Sequence, residues 1–430
     1  MADEEPLFTG RQIVVFADEV HGDTAAMTEA LGSTTGAMNI ASSLDFAAGA
    51  VDVDQTAAAD ATVFAELGVA VLPEGAATGP SIAAAITAEP RIIAIEPERI
   101  LYAIDDAAPG APLSLEYVRG YSDAAAHLYN QLSAAQAADI EADLAGLGDS
   151  STLTWGLQVT GASTSSRTGQ GVKVAVLDTG LDLGHPDFAG RAITSQSFIT
   201  GETAQDGNGH GTHCAGTSCG GRADNDGRRY GVAREASLFV GKVLNNSGRG
   251  GDGNVLAGLN WALANQVHIV SMSLGVNLRP VSTAYETVGK RALSAGTLIV
   301  AAAGNNASRS TGYAGFVGVP ANSPSFMAVA AVDAQMRIAD FSARSNPVAG
   351  GQVDLAGPGV AVYSSWPMPK RYNSISGTSM ATPHVAGIAA LFAQATGARG
   401  APLWSAITQA ARRLSLPSAD VGSGLVQAPA

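Results

Sequence analysis

Short runs of consecutive apolar residues alternate along this chain with stretches rich in alanine and other small residues. In the first hundred positions Ile13-Val14-Val15-Phe16, Val69-Ala70-Val71-Leu72 and residues 92–95 and 100–104 read as strands, the last two as a strand pair, with helix candidates at 24–31 and 80–88. That alternation predicts a small α+β unit. Residues 105–112, rich in Pro, Ala, Gly and Asp and without period, read as a linker. Tyr117, Tyr121, Ala125, Leu128 and Leu132 then recur every three or four residues, the stripe of an amphipathic helix that starts near Leu115 and ends before 146–152. From Trp155 onward longer apolar runs at 172–177, 237–243, 269–273, 297–303 and 326–332 are separated by small-residue helical stretches. Strands apolar on both faces and separated by helices imply a mostly parallel sheet covered on both sides, an α/β architecture. The expected division is 1–105, 106–150 and 151–430.

Charge changes this picture in one way. The net charge of −14 over 430 residues divides at residue 150 into 4 Lys+Arg against 24 Asp+Glu before it and 20 against 14 after it, so −20 faces +6. An acidic segment and a mildly basic one on one chain are suited to lie against each other. The small positive excess, with no Lys/Arg cluster, makes nucleic acid a poor partner. Cys214 and Cys219 are too few for a disulfide framework and read as free thiols. No apolar run of about 18 residues marks a membrane span, and the start Met-Ala-Asp-Glu-Glu-Pro lacks a basic, apolar leader. The expectation is a cytoplasmic location for the chain as given, and secretion if a leader precedes it.

Three segments carry candidate chemistry. The apolar run ending at Leu177 delivers Asp178-Thr179-Gly180 to the edge of the sheet where ligand sites form; singly, such an Asp is as often a cap or turn former. Gly207-Asn208-Gly209-His210-Gly211-Thr212-His213 sets His210 at the start of a small-residue helix. A lone histidine is usually structural, so its claim depends on a third piece. Gly377-Thr378-Ser379-Met380-Ala381-Thr382-Pro383-His384 places a serine hydroxyl at a helix N-terminus, where free backbone N–H groups and the helix dipole favour an oxyanion. An ordinary N-cap is the bland alternative for Ser379.

In the order Asp, His, Ser, these segments resemble the signature blocks of the subtilisin-like (S8) serine proteases, and most of all the proteinase K branch; subtilisin is the standard worked case of this chain order. The resemblance covers residues 155–427 and implies a three-layer sandwich with a mostly parallel central sheet. It implies that Ser379 attacks the scissile carbonyl, His210 relays its proton and Asp178 holds the imidazole. The run ending Ala303-Gly304-Asn305-Asn306 resembles the family strand whose Asn305 completes the oxyanion hole with the Ser379 backbone N–H. Ser273-Leu274-Gly275 resembles the edge that pairs with an extended protein or peptide substrate, and Ala303 and Gly304 would line the opposite wall of the first specificity pocket. Val276 and Asn306 depart from the common pattern and suggest a neutral or apolar pocket.

No cofactor is implied for the chemistry. Asp187 matches a position that often helps to bind structural Ca2+, and Asp224-Asn225-Asp226-Gly227 is a hard-oxygen loop near it, of a length unusual for the family. His185, His213 and His384 read as structural. The first 105 residues resemble the family's ferredoxin-like inhibitor propeptide (the I9 type) through residues 91–104, which implies an N-terminal unit that packs on the protease, lays its tail in the cleft as an intramolecular inhibitor, and is released by self-cleavage between 105 and 154. A binding protein that retains the fold without proteolysis is the competing class; reaction of Ser379 with a fluorophosphonate distinguishes the two. An α/β-hydrolase esterase is excluded because no Gly-x-Ser-x-Gly elbow surrounds Ser379.

Overall fold

A computed structural model describes residues 7–76, 89–104, 148–346, 348 and 350–430. The helix expected at 80–88, the linker at 105–112 and the amphipathic stripe after Leu115 lie outside the described residues.

The N-terminal strands are β1 (Phe8–Phe16), β2 (Ile40–Ser42), β3 (Ala61–Phe64), β4 (Val69–Leu72) and β5 (Ile92–Ala103), with α1 (Thr24–Thr35) after β1. They pair in the order β5-β1-β4-β3-β2. β1 is antiparallel to β4 and β5, and β3 is antiparallel to β4, which is the ferredoxin-like arrangement; β2 is an added edge strand parallel to β3. The run Ile13-Val14-Val15-Phe16 is apolar throughout because both faces are covered. Val14 and Phe16 pack with Met27 and Leu31 of α1, whereas Ile13 and Val15 belong to the core cluster that contains Leu256, Leu259 and Val288 of the second half. The stretches 92–95 and 100–104 differ from the expected strand pair: they form one strand. The polar Glu96-Pro97-Glu98-Arg99 between them is not a turn. It continues the ladder, with Gln12 opposite Pro97, and directs its charges into the neighbouring half.

The second half contains α2 (Trp155–Val159), β6 (Lys173–Asp178), β7 (Ile193–Ser197), α3 (His210–Cys219), β8 (Ser237–Lys242), β9 (Arg249–Gly251), α4 (Asp252–Ala264), β10 (Ile269–Met272), β11 (Leu274–Gly275) and α5 (Thr283–Ser294). It continues with β12 (Leu298–Ala302), β13 (Met327–Val332), β14 (Leu355–Pro358), β15 (Val362–Ser365), β16 (Tyr372–Ile375), α6 (Thr378–Thr396) and α7 (Gly400–Ala410). Its central sheet, β14-β13-β12-β10-β6-β8-β7, is parallel at every pairing. Alternate residues of β6 point to opposite layers: Ala175 and Leu177 face the cluster of α4 and α5, and Val174 and Val176 face that of α3 and α6. The result is a three-layer α/β sandwich. The strand order turns at β6, so Asp178 stands at the topological switch point of the sheet. Among the described residues no helix is long and apolar enough to cross a membrane.

The two halves are joined by charges on helix ends. Glu98, fully buried, accepts from Gly253 N at the start of α4 (2.8 Å) and is paired with Arg11. Glu96 accepts from the Ser282 hydroxyl (2.6 Å) and from Thr283 N (2.5 Å) at the start of α5. Carboxylates at helix N-termini satisfy free N–H groups and oppose the dipole favourably. In the other direction, Arg291 of α5 donates to the carbonyls of Leu67 (2.6 Å) and Phe16 (2.8 Å).

Candidate active site

The site forms where loops leave the carboxyl ends of β6, β10 and β12 and meet the N-termini of α3 and α6. The side chains of Asp178 and His210 are each 1% exposed, and Asp178 Oδ1 lies 2.7 Å from His210 Nδ1. Burial alone would depress the His210 imidazole, but the Asp178 carboxylate, with a smaller contribution from Cys214, holds it well above its ordinary value. His210 Nε2 is buried without a hydrogen-bond partner.

A buried network absent from the sequence reading sets this geometry. Asp206 accepts at Oδ1 from the Thr179 hydroxyl and the N–H groups of Asn208 and Gly209, each at 2.9 Å, and at Oδ2 from Thr212 N (2.9 Å) and the Thr212 hydroxyl (2.7 Å). Gly211 N in turn donates to Thr179 Oγ1 at 2.8 Å, which ties the Asp178 turn to the first turn of α3. Gly209 adopts φ +114 beneath the Trp366 ring, a left-handed conformation in a space where a Cβ would collide. Lys242, fully buried at the end of β8, donates to Thr179 O (2.6 Å) and to Asn246 Oδ1 (2.9 Å), and Asn246 Oδ1 also receives Gly207 N. The only signals for these residues were an Asp directly before the Gly-Asn-Gly-His segment and a Lys closing an apolar strand.

Ser379 is the second residue of α6 and fully buried. Its carbonyl accepts from the Ser273 hydroxyl (2.8 Å) and lies 3.5 Å from Cys214 Sγ, which itself lies 3.9 Å from His210 Nδ1, so the thiol sits between the helices that carry the candidate base and nucleophile. The Ser379 hydroxyl donates toward Ile104 O and Ser273 O (3.1 Å) and makes no hydrogen bond with His210 Nε2. The expected hydroxyl–imidazole link is therefore not made in this state, because a hydroxyl has one proton and the carbonyl oxygens compete for it. Asn305 is oriented through its oxygen: Oδ1 accepts from Thr378 N (2.9 Å) and the Thr378 hydroxyl (2.8 Å), which leaves Nδ2 directed at Ile104 O, 3.4 Å away.

The end of β5 runs through the site. It lies antiparallel between β9 and β11, with Tyr102 opposite Arg249 on one side and Gly275 on the other, and Ala103 opposite Leu274. Ile104 N donates to Ser273 O at 3.1 Å, and a Cβ on Gly275 would stand 3.0 Å from Ile104 Cδ1, so Ser273, Leu274 and Gly275 line this strand. Ala303 is fully buried in the core and Gly304 N donates to the Thr378 hydroxyl (3.2 Å). Val276 exchanges main-chain bonds with Val319. Asn306 Nδ2 donates to Asn277 Oδ1 and Phe316 O, both at 2.9 Å.

The remaining histidines are held by structure. His213 Nε2 meets Val362 O (2.9 Å) and His384 Nδ1 meets Met380 O (2.8 Å), with burial pushing their pKa values down to about 3 and about 4. His185 is tied to Arg371 O. At the expected calcium position the carboxylates are engaged by proton donors. Asp187 accepts from the hydroxyls of Tyr230 (2.6 Å) and Tyr372 (2.9 Å) and from Asp224 N (3.1 Å), while Asp224 pairs with Arg371 and Asp226 with Arg228. A calcium ion here would take six to eight oxygen ligands, so these carboxylates would have to exchange some of their present donors for it.

The Subtilase family model matches residues 169–423. Subtilisin E of Bacillus subtilis (strain 168) is 44% identical over 226 residues, 52% of this chain and 56% of that protein. Subtilisin DY of Bacillus licheniformis is 42% identical over 224 residues, 52% of this chain and 77% of that protein. Subtilisin BL of Lederbergia lenta is 42% identical over 286 residues, 64% of this chain and 97% of that protein. The chain thus spans little more than half the length of the first of these relatives and nearly all of the last.

Proposed function

The chain belongs to the subtilase family, and on that footing we propose that it is a serine endopeptidase, made as a precursor whose N-terminal unit fills the cleft and is severed by the enzyme itself. Ser379 attacks the scissile carbonyl, His210 takes its proton and returns it to the leaving amine, and Asp178 fixes the imidazole and stabilises its charged form. Asn305 donates to the developing oxyanion. These side chains suffice for acyl transfer, and no cofactor is called for.

One observation carries the reading: the carbonyl of Ile104 receives both the Ser379 hydroxyl and the Asn305 amide while the N–H of the same residue is held by Ser273. A peptide carbonyl presented to nucleophile and oxyanion donor together, in an extended strand, is the arrangement of a bound substrate. It supports a cut at Ile104–Asp105, one bond before the stretch expected from the sequence. Isoleucine against Gly275 supports a preference for apolar residues in the first pocket. The proteinase K branch is proposed on the signature blocks around Asp178, His210 and Ser379.

Mass spectrometry of the purified chain tests the reading. Wild type is expected to yield fragments 1–104 and 105–430, and Ser379→Ala to stay intact. Continued processing of Ser379→Ala, or a wild type that neither cuts itself nor reacts with a fluorophosphonate, would overturn it.

A further inference from the structure

Three side chains of the protease half close around the guanidinium of Arg99. Asp252, the first residue of α4, accepts from Arg99 Nε and from Arg99 N, both at 2.8 Å. The Ser282 hydroxyl accepts from Nη2 at 2.9 Å, and the Tyr285 ring lies against the guanidinium with its centroid 5.7 Å from the central carbon. Among the described residues, Glu96 Oε2, also at 2.9 Å from Nη2, is the side chain of the N-terminal unit that joins them. The pocket's own side chains also hold one another. The Tyr285 hydroxyl donates to Asp252 Oδ1 at 2.8 Å, and both residues are fully buried at the starts of packed helices.

The ladder around β5 fixes the register. Ile100, Leu101 and Tyr102 stand opposite Gly251, Gly250 and Arg249, so any extended peptide seated with its scissile carbonyl where Ile104 O lies presents its sixth residue upstream to Asp252. Once the N-terminal unit has left, Asp252 loses the Arg99 guanidinium and main-chain N–H and keeps the Tyr285 hydroxyl, so its carboxylate can accept another cation there. Arginine suits it better than lysine, because separate N–H groups reach Asp252 and Ser282 while the flat face rests on the Tyr285 ring.

We infer that Asp252, Ser282 and Tyr285 form an arginine-binding subsite of the processed enzyme, which selects protein and peptide substrates with arginine six residues before the cut. The inference rests on the endopeptidase reading above. Its test uses the self-processed protein and two internally quenched peptides, Glu-Arg-Ile-Leu-Tyr-Ala-Ile-Asp-Asp and the same peptide with alanine for arginine. A charge-assisted, desolvated contact is expected to raise kcat/KM for the arginine peptide by about tenfold or more, with a lysine peptide in between, and Asp252→Asn to collapse the ratio. Equal rates on both peptides in wild type, or a full ratio retained in Asp252→Asn, would refute the subsite. The wild-type ratio needs no variant, so a misfolded Asp252→Asn leaves the test standing. Cleavage of neither peptide would instead refute the endopeptidase reading, and the subsite with it.

Discussion

The two main sheets of this molecule are buried on both faces, but by different means. The parallel sheet is covered by helices of its own half, α4 and α5 on one side and α3 and α6 on the other. The N-terminal sheet has α1 over one face only, and its other face, through Ile13, Val15, Val69, Val71 and Leu101, is completed by α4 and α5 of its neighbour. One half therefore contains its core, whereas the other shares it. The difference assigns the N-terminal unit a conditional fold, and the charges at the junction follow: the helix-end contacts of Glu96 and Glu98 with Thr283 N and Gly253 N, and those of Arg291 with Leu67 O and Phe16 O, form only when the halves meet.

Separating the halves should break this comparison most severely. Exposing those five side chains at about 1.5–3 kcal/mol each removes about 7–15 kcal/mol, as much as the whole margin of an ordinary domain, about 5–15 kcal/mol. Residues 1–104 alone are expected to lack a cooperative unfolding transition by circular dichroism and to regain one when the processed protease is added; a sharp transition in isolation would contradict the shared core. Next in size, Asn305→Ala separates holding from cutting. It should slow self-cleavage by a factor of about 10² to 10³, the size known for this amide in subtilisin itself, while the N-terminal unit stays seated, because among the described residues the Asn305 side chain hydrogen-bonds the tail at Ile104 O alone. Glu98→Ala leaves Gly253 N without its charged acceptor and should weaken rebinding of the N-terminal unit by about 1.5–3 kcal/mol, read as an inhibition constant roughly 10- to 150-fold higher. The smallest effect is acid loosening. His213 and His384, both in the protease half, have folded pKa values depressed to about 3 and about 4, so the unfolded chain takes up protons that the native state refuses. Their contribution is complete above about pH 6.5 and is lost as pH falls toward those values, by up to about 1.4 kcal/mol per group and pH unit. Asp354, whose carboxyl pKa is raised to about 7 by burial, and His210 pull the other way over this range, so the variant carries the test: melting of His384→Gln should fall less from pH 7 to pH 5 than that of the wild type.

What was legible in the sequence follows the same division. Strands buried by local helices were readable as apolar runs, and β6, β8, β10, β12 and β13 fall within a residue or two of their expected limits. The segments around Asp178, His210 and Ser379 were readable because each packs its chemistry into about ten residues. Groups whose meaning depends on distant partners were not. Glu98, Arg99, Asp206 and Lys242 look like surface residues in a sequence, yet each is buried by elements far along the chain or by a loop folding back on itself. β9 and β11, three and two residues long, lack any period of their own and become strands only because β5 lies between them. The single strand at 92–103 was split on paper because a Glu-Pro-Glu-Arg stretch resembles a turn when its acceptors are out of view.

The continuity of β5, from the body of one sheet into the cleft of the other half, bears on timing. Breaking the bond after Ile104 severs nothing upstream of it: the ladder, the helix-end carboxylates and the Arg99 contact all persist. A newly made molecule would therefore pass through a latent interval in which it is already cut and still mute. The end of that interval is set by how quickly the severed piece lets go or is digested by another molecule, so the onset of turnover in a fresh preparation should be sigmoidal and should quicken when seeded with enzyme that has already been emptied.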